Sequence, residues 1–344
     1  MGASRLDTTT AHDLAELVLN HPLYAHTVLL QTPPIDEIFK LVKLAILLRD
    51  SGWVFTGESG IGKTDALDRV KMLIRHQFPR ICMFTHDAHN QQIASIRAFF
   101  KHFLTTIGHS ELKGETPDLR HRVVRMLVDD ARVSGINLIV MFIDEASALG
   151  LQDFLFLKDI YNDLGRSDIQ FVTILMGQSP DIEHVIEMLR TNNRHDLVGR
   201  FASKVYAVRA YDSVKDLQVI FKAIDDRQFP EGSGHHWTQL MVPNAWDAGF
   251  RLEHEATRAF DAIVNGTGKS RKIAFPARQT FLAIRYYLLD AAERDWRGKT
   301  QPDSAWSKAI AYAKLQDSLF EQARARKRSA AAKESTNDSG STDE

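Results

Sequence analysis

Apolar runs alternate along this chain with stretches whose apolar residues recur every three to four positions. The runs fall at 53–56, 81–85, 137–143, 170–176 and 204–208. Leu138 to Ile143 is six apolar residues in a row, the pattern of a strand buried on both faces of a parallel sheet. Between the runs the spacing is helical. After the first run, Leu67, Val70, Leu73 and Ile74 mark one face of a helix over 65–75. Strands alternating with helices predict an α/β fold around a parallel sheet. Before this series, residues 11–19 read as a short helix capped by Thr10, and Pro33 and Pro34 mark a turn before a helix over 35–48. A longer insert lies between Phe99 and Leu127, with a loop at 108–117. From Ser213 onward the pattern is helical, at 217–223, 252–264, 278–290 and 303–328, with a polar break at 231–236. The Ser/Thr/Asp-rich end, 330–344, predicts disorder. The boundaries drawn from this are an N-terminal helical extension (1–50), an α/β core (51–211), a helical lid with C-terminal helices (212–328) and a tail (329–344). No internal repeat is present.

Composition narrows the picture in three ways. A length of 344 residues accommodates one α/β core and a smaller lid. Lys and Arg number 43 against 44 Asp and Glu, so any nucleic-acid binding must rest on a local patch. Cys82 is the single cysteine, which excludes internal disulfides and cysteine-rich zinc sites, and its run predicts burial in a strand. No apolar run approaches membrane-spanning length and the N-terminus lacks a secretory apolar region, so a cytoplasmic setting with no membrane is expected.

The chemistry begins directly after the first run. Gly57-Glu58-Ser59-Gly60-Ile61-Gly62-Lys63-Thr64 fits G-x-x-x-x-G-K-[ST], the phosphate-binding P-loop, and it stands between a predicted strand and a predicted helix. Glycines let several backbone N–H groups point at one phosphate, and the helix N-terminus adds partial positive charge. Lys63 is placed to reach the β- and γ-phosphates of ATP, and Thr64 to offer its hydroxyl to Mg²⁺. The run 137–143 then ends in Asp144-Glu145. Open α/β sheets bind ligands at the C-terminal ends of their strands. Asp144 is the expected partner of Mg²⁺, through water, and Glu145 the expected base for the attacking water. A second glycine-lysine stretch, Asn265-Gly-Thr-Gly-Lys-Ser270, imitates a P-loop but has Ile263 where the first glycine belongs and follows a helical pattern. It reads as a loop.

Further positions carry a resemblance. The run 170–176 leads into Gly177-Gln178. Gly199-Arg200-Phe201 precedes the last run, and Pro276-Ala-Arg278 opens a lid helix. With the P-loop and the acidic strand end, these resemble AAA+ ATPases, and the compact size resembles those of DNA transposition, the TnsC/TniB type, over roughly residues 35–290. AAA+ proteins of the initiator or secretion-associated type, acting on protein partners, share the motifs. The resemblance implies a three-layer P-loop core with a small helical lid, and ATP hydrolysis with Mg²⁺. It implies that Gln178 helps hold the water, that Arg200 (alternate Arg194) reaches a neighbour's ATP, and that Arg278 (fallback Arg285) faces the γ-phosphate from the lid. It also implies a homo-oligomer, a ring or a helical filament on duplex DNA, which links a target-selection protein to a transposase. Arg97, Lys101, Lys113, Arg120 and Arg122 cluster around the 99–127 insert, where the family contacts the phosphate backbone. A basic segment at 324–328 is a further candidate.

Overall fold

The structure, a computed structural model, describes residues 13–25, 29–88, 95–267 and 274–315. The Thr10 cap, the basic segment 324–328 and the tail lie outside the described residues, as does 268–270 of the stretch read as a loop at 265–270, whose first three residues instead end the helix Ala256–Thr267. The chain divides into two compact units, one of residues 34–209 and one joining residues 1–33 to residues 210–344. The stretch 1–50, set apart in the sequence as one extension, therefore falls in both.

In the first unit the five apolar runs form one sheet. Its strands are β1 (Trp53–Gly57), β2 (Cys82–Asp87), β3 (Leu138–Asp144), β4 (Gln170–Gln178) and β5 (Lys204–Ala207), in the order β2-β3-β4-β1-β5. All four pairings are parallel. Side chains alternate between faces along each strand. Trp53, Phe55, Leu138, Val140, Phe142, Val172, Ile174 and Met176 join one apolar cluster with the helices Pro33–Leu48 and Lys63–Gln77. Val54, Ile139, Met141, Ile143, Phe171 and Leu175 join the other. That face is covered by the helices Ile96–Thr106, Thr116–Ser134, Leu151–Arg166, Asp181–Thr191 and His195–Phe201. Helices on both faces of a parallel sheet make a three-layer core. Every residue of β3 is buried, as its apolar run predicts. The edge strand β2 is mostly half-buried, and this corrects the expectation for Cys82, which is only partly covered and donates to the Asp130 carbonyl at 3.2 Å.

The insert resolves into two helices, Ile96–Thr106 and Thr116–Ser134. The second has a reciprocal cap between Glu115 and Asp118 and ends at Gly135, in the left-handed conformation. The second unit is helical. Val214–Asp226, Ala256–Thr267, Ala277–Asp295 and Ala305–Tyr312 enclose Phe221, Tyr287 and Trp306. Tyr287 and Phe221 both stack on Trp306, at 3.9 Å and 5.3 Å between ring centroids. Leu23 and Leu30 from the N-terminal segment complete that core. No helix of the described residues is long and apolar enough to cross a membrane.

Candidate nucleotide site

The P-loop joins β1 to the helix Lys63–Gln77. Gly60 and Gly62 have φ of 78° and 87°, values costly for residues with a Cβ, and Gly62 is the helix N-cap. Inside the loop the Lys63 ammonium donates to the carbonyls of Gly57 and Glu58, each at 3.1 Å. Burial pushes its pKa down, and the charges of Glu145 and Asp144 oppose that shift. The lysine thus shares one electrostatic neighbourhood with the acidic strand end. Ser59 and Thr64 are exposed, and Glu58 and Ile61 are partly covered.

Asp144 ends β3 buried, with 7% of its surface exposed, and its Oδ1 accepts from the Glu145 N–H at 2.8 Å. Glu145 is exposed and turns the chain at φ 50°. A left-handed non-glycine residue costs about 1–2 kcal/mol and persists when its surroundings hold it. The short 3₁₀ turn Ala146–Ala148 follows, and there Ser147 does something no sequence pattern announces. Its hydroxyl accepts from the Gln178 N–H at 2.8 Å and donates to the Gln178 carbonyl at 3.3 Å. Gly177 permits this approach. A Cβ there would stand 2.7 Å from Ile182 Cβ and 2.9 Å from Ser147 Oγ.

Sheet register completes the site. Because β4 lies between β3 and β1, Gln178 pairs with Gly57, the first residue of the P-loop, and the Ser179 N–H donates to the Gly57 carbonyl at 3.0 Å. Thr56 Oγ1 donates to Glu183 Oε1 at 2.8 Å, tying the end of β1 to the helix Asp181–Thr191 that follows β4. Glu183, like Ser147, carries no motif. P-loop, Asp144, Glu145 and Gln178 thus share one end of the sheet. These residues fit a magnesium nucleotide. The donors are hard oxygens, a Thr64 hydroxyl and one buried carboxylate, and Mg²⁺ ordinarily takes few protein ligands and completes its shell with phosphate and water. Among the described residues no group of three or more His, Cys, Asp or Glu competes as a metal site.

The other expected residues belong to other elements. Arg200 and Arg194 meet at Asp196, also touched by Lys158. Arg278 is exposed on the first turn of Ala277–Asp295, in the second unit. Arg285, on the same helix, is partly covered, and burial pulls its pKa down. Around the insert, Arg120 donates to Asp163 at 2.6 Å and Asp159 at 3.2 Å. Arg122 braces its own loop through the carbonyls of Glu111 and Lys113. Arg97 faces Glu115 at 3.6 Å. Lys101 is partly covered and Lys113 exposed.

The strand order and this site define a three-layer α/β core with a P-loop at the C-terminal end of its sheet. The family described as AAA domain matches residues 49–186, from the turn before β1 into the helix after β4. No curated protein matches the chain. Solved structures similar to it include Drosophila ORC bound to DNA, at 15% identity and a TM-score of 0.48 over 84% of this chain and 70% of that one. The Walker-type ATPase of Pyrococcus abyssi is similar at 13% identity and a TM-score of 0.47, over 86% of this chain and 76% of its own. The Pif1 helicase from Candida albicans is similar at 16% identity and a TM-score of 0.33, over 53% of this chain, which spans 40% of that helicase.

Proposed function

We propose that this protein is an Mg²⁺-dependent ATPase switch of the TnsC/TniB type, which self-assembles on duplex DNA and couples target selection to a transposase. The observation that carries the reading is the distribution of groups about the sheet. Lys63, Asp144, Glu145 and Gln178 gather at the C-terminal end of the strands. Arg200 stands at the other end, its carbonyl held by Ser51 Oγ at 3.1 Å in the turn before β1. β1 has five residues, so about 16 Å of strand at ~3.3 Å per residue separates Arg200 from its own P-loop. An arginine so placed serves a neighbouring copy.

Mg²⁺, bound with the triphosphate, supplies charge neutralisation on the phosphate oxygens. The chain's own residues do the rest. The P-loop N–H groups and Lys63 orient the triphosphate, the Glu145 carboxylate accepts the proton of the attacking water, and Gln178 holds that water. Lys101 and Lys113 offer their ammonium groups to the DNA backbone.

Negative-stain microscopy tests the reading. Rings or filaments on duplex DNA are expected with ATP, and neither with the Lys63→Ala protein, which is expected to lose ATP binding. A role on protein partners is the second reading, favoured by the internal use of Arg120 and Arg122. ATP-dependent assembly indifferent to DNA would select it.

A further inference from the structure

Four charged side chains meet on the surface of the core, and three of them are cations. Lys158 Nζ lies 2.7 Å from Asp196 Oδ2. Arg194 clamps the same carboxylate in two places, Nε to Oδ1 at 3.1 Å and Nη2 to Oδ2 at 3.2 Å. Arg200 Nη1 reaches Oδ2 at 3.7 Å, and its guanidinium lies 5.4 Å over the Tyr161 ring. One carboxylate neutralises one cation, so the cluster keeps a surplus of positive charge. These cations hold the Asp196 carboxyl far below the usual carboxylate range, Arg194 first and Lys158 next. The four side chains are 25–39% exposed, packed enough to be placed and open enough to take a ligand.

Their origins make the convergence informative. Lys158 comes from the helix Leu151–Arg166, while Arg200 and Asp196 come from His195–Phe201 and Arg194 from its N-cap. Guanidinium forks beside an ammonium match a group with several adjacent anionic oxygens. Arg194 is locked at two points, whereas Arg200 makes the longest contact to Asp196 and is the one most readily handed over.

We infer that Lys158, Arg194, Arg200 and Asp196 form one composite anion site, with Lys158 as a third cation and Asp196 as the residue that positions all three. Its ligand is the triphosphate of a nucleotide held by a second copy of this chain. The inference rests on the proposed ATP-dependent assembly and adds Lys158, Arg194 and Asp196 to Arg200. Asp196 is a positioning residue, because it acts through the cations it gathers.

The test reads assembly rather than turnover. In the Glu145→Gln protein, ATP-driven self-association is followed by sedimentation velocity both with and without duplex DNA, and binding of a fluorescent ATP is measured at dilutions where the chain is monomeric. Lys158→Ala is expected to raise the half-assembly concentration by about tenfold, the loss of one charge-assisted contact. Nucleotide binding by the monomer stays constant, and Lys158→Arg restores assembly. Asp196→Asn adds net positive charge, so an effect of charge alone would tighten assembly. Positioning predicts that Asp196→Asn weakens it and Asp196→Glu partly restores it. Tighter assembly of Asp196→Asn overturns the positioning role. With Glu145 intact, Lys158→Ala copies mixed with Lys63→Ala copies are expected to regain ATPase activity. No gain on mixing would place the cluster's action within one chain and overturn the inference. Loss of DNA binding with assembly intact would make the ligand a DNA phosphate, and overturn it too. A parent protein that shows no ATP-driven association sinks the proposed function itself. An assembling parent with unaffected Lys158 and Asp196 variants sinks this inference alone.

Discussion

Glu145 combines an exposed carboxylate with a left-handed backbone at φ 50°, directly after the buried Asp144. The turn leaves its side chain exposed while Asp144 stays buried. Glu145→Gln preserves shape and removes the base. Nucleotide binding is expected to persist while steady-state turnover falls by about 10²–10⁴. Turnover at the parent rate would remove Glu145 from the reaction. Gly177 is the second residue on which the site depends. Its missing side chain lets Ile182 and Ser147 close on the strand that presents Gln178. Gly177→Ala overpacks this contact and is expected to lower stability by about 1–3 kcal/mol in a urea melt. An unchanged midpoint would show that the helix Asp181–Thr191 yields without cost.

Elements are held by contacts of this kind, and in the second unit one of them titrates. His21, fully buried before the short helix Pro22–Ala25, accepts from the Leu23 N–H at Nδ1 and bonds the Trp237 carbonyl through Nε2. That pairing calls for a neutral ring with its proton on Nε2. Burial pulls its pKa below 6.5, and the bond to the Trp237 carbonyl opposes this. The folded chain therefore binds fewer protons than the unfolded chain below that value. The ring's contribution to stability is complete above about pH 6.5 and is lost as pH falls through the lowered folded pKa, at up to about 1.4 kcal/mol per pH unit. Urea melts followed by tryptophan fluorescence from about pH 7.5 to about pH 5 are expected to show this slope, and His21→Gln to flatten it. Equal slopes in the two proteins would clear His21.

The whole molecule has a net charge of −1, so contact with a polyanion depends on where cations are free to point. Arg120 is committed to Asp159 and Asp163, and Arg122 to backbone carbonyls. Lys101 and Lys113 remain the better candidates in that region. Lys101→Ala with Lys113→Ala is expected to weaken binding to unrelated duplexes alike and to lower the salt slope by about two units, read by fluorescence anisotropy with ATP present. Arg120→Ala is expected to leave the slope unchanged. A slope unaffected by the double lysine change would take DNA away from this face.

Local patterns were enough to locate the P-loop, the acidic strand end and all five strands, because each depends on neighbours in sequence. A phosphate loop needs its glycines in one octapeptide, and a central strand such as Leu138–Asp144 needs an unbroken apolar run. The half-exposure of Cys82 was not legible, since an edge strand and a central strand share the same local signal and differ only in what packs beside them. Tertiary structure alone decided the strand order, which sets Gln178 against Gly57, and the reach of Ser147 to that strand. It alone joined the residues before Pro34 to the helical unit and brought Lys158 to the carboxylate shared by Arg194 and Arg200. The physical reason is common to these cases. Spacing along a chain encodes which face a side chain occupies, whereas the partner it meets there is chosen by long-range packing and register.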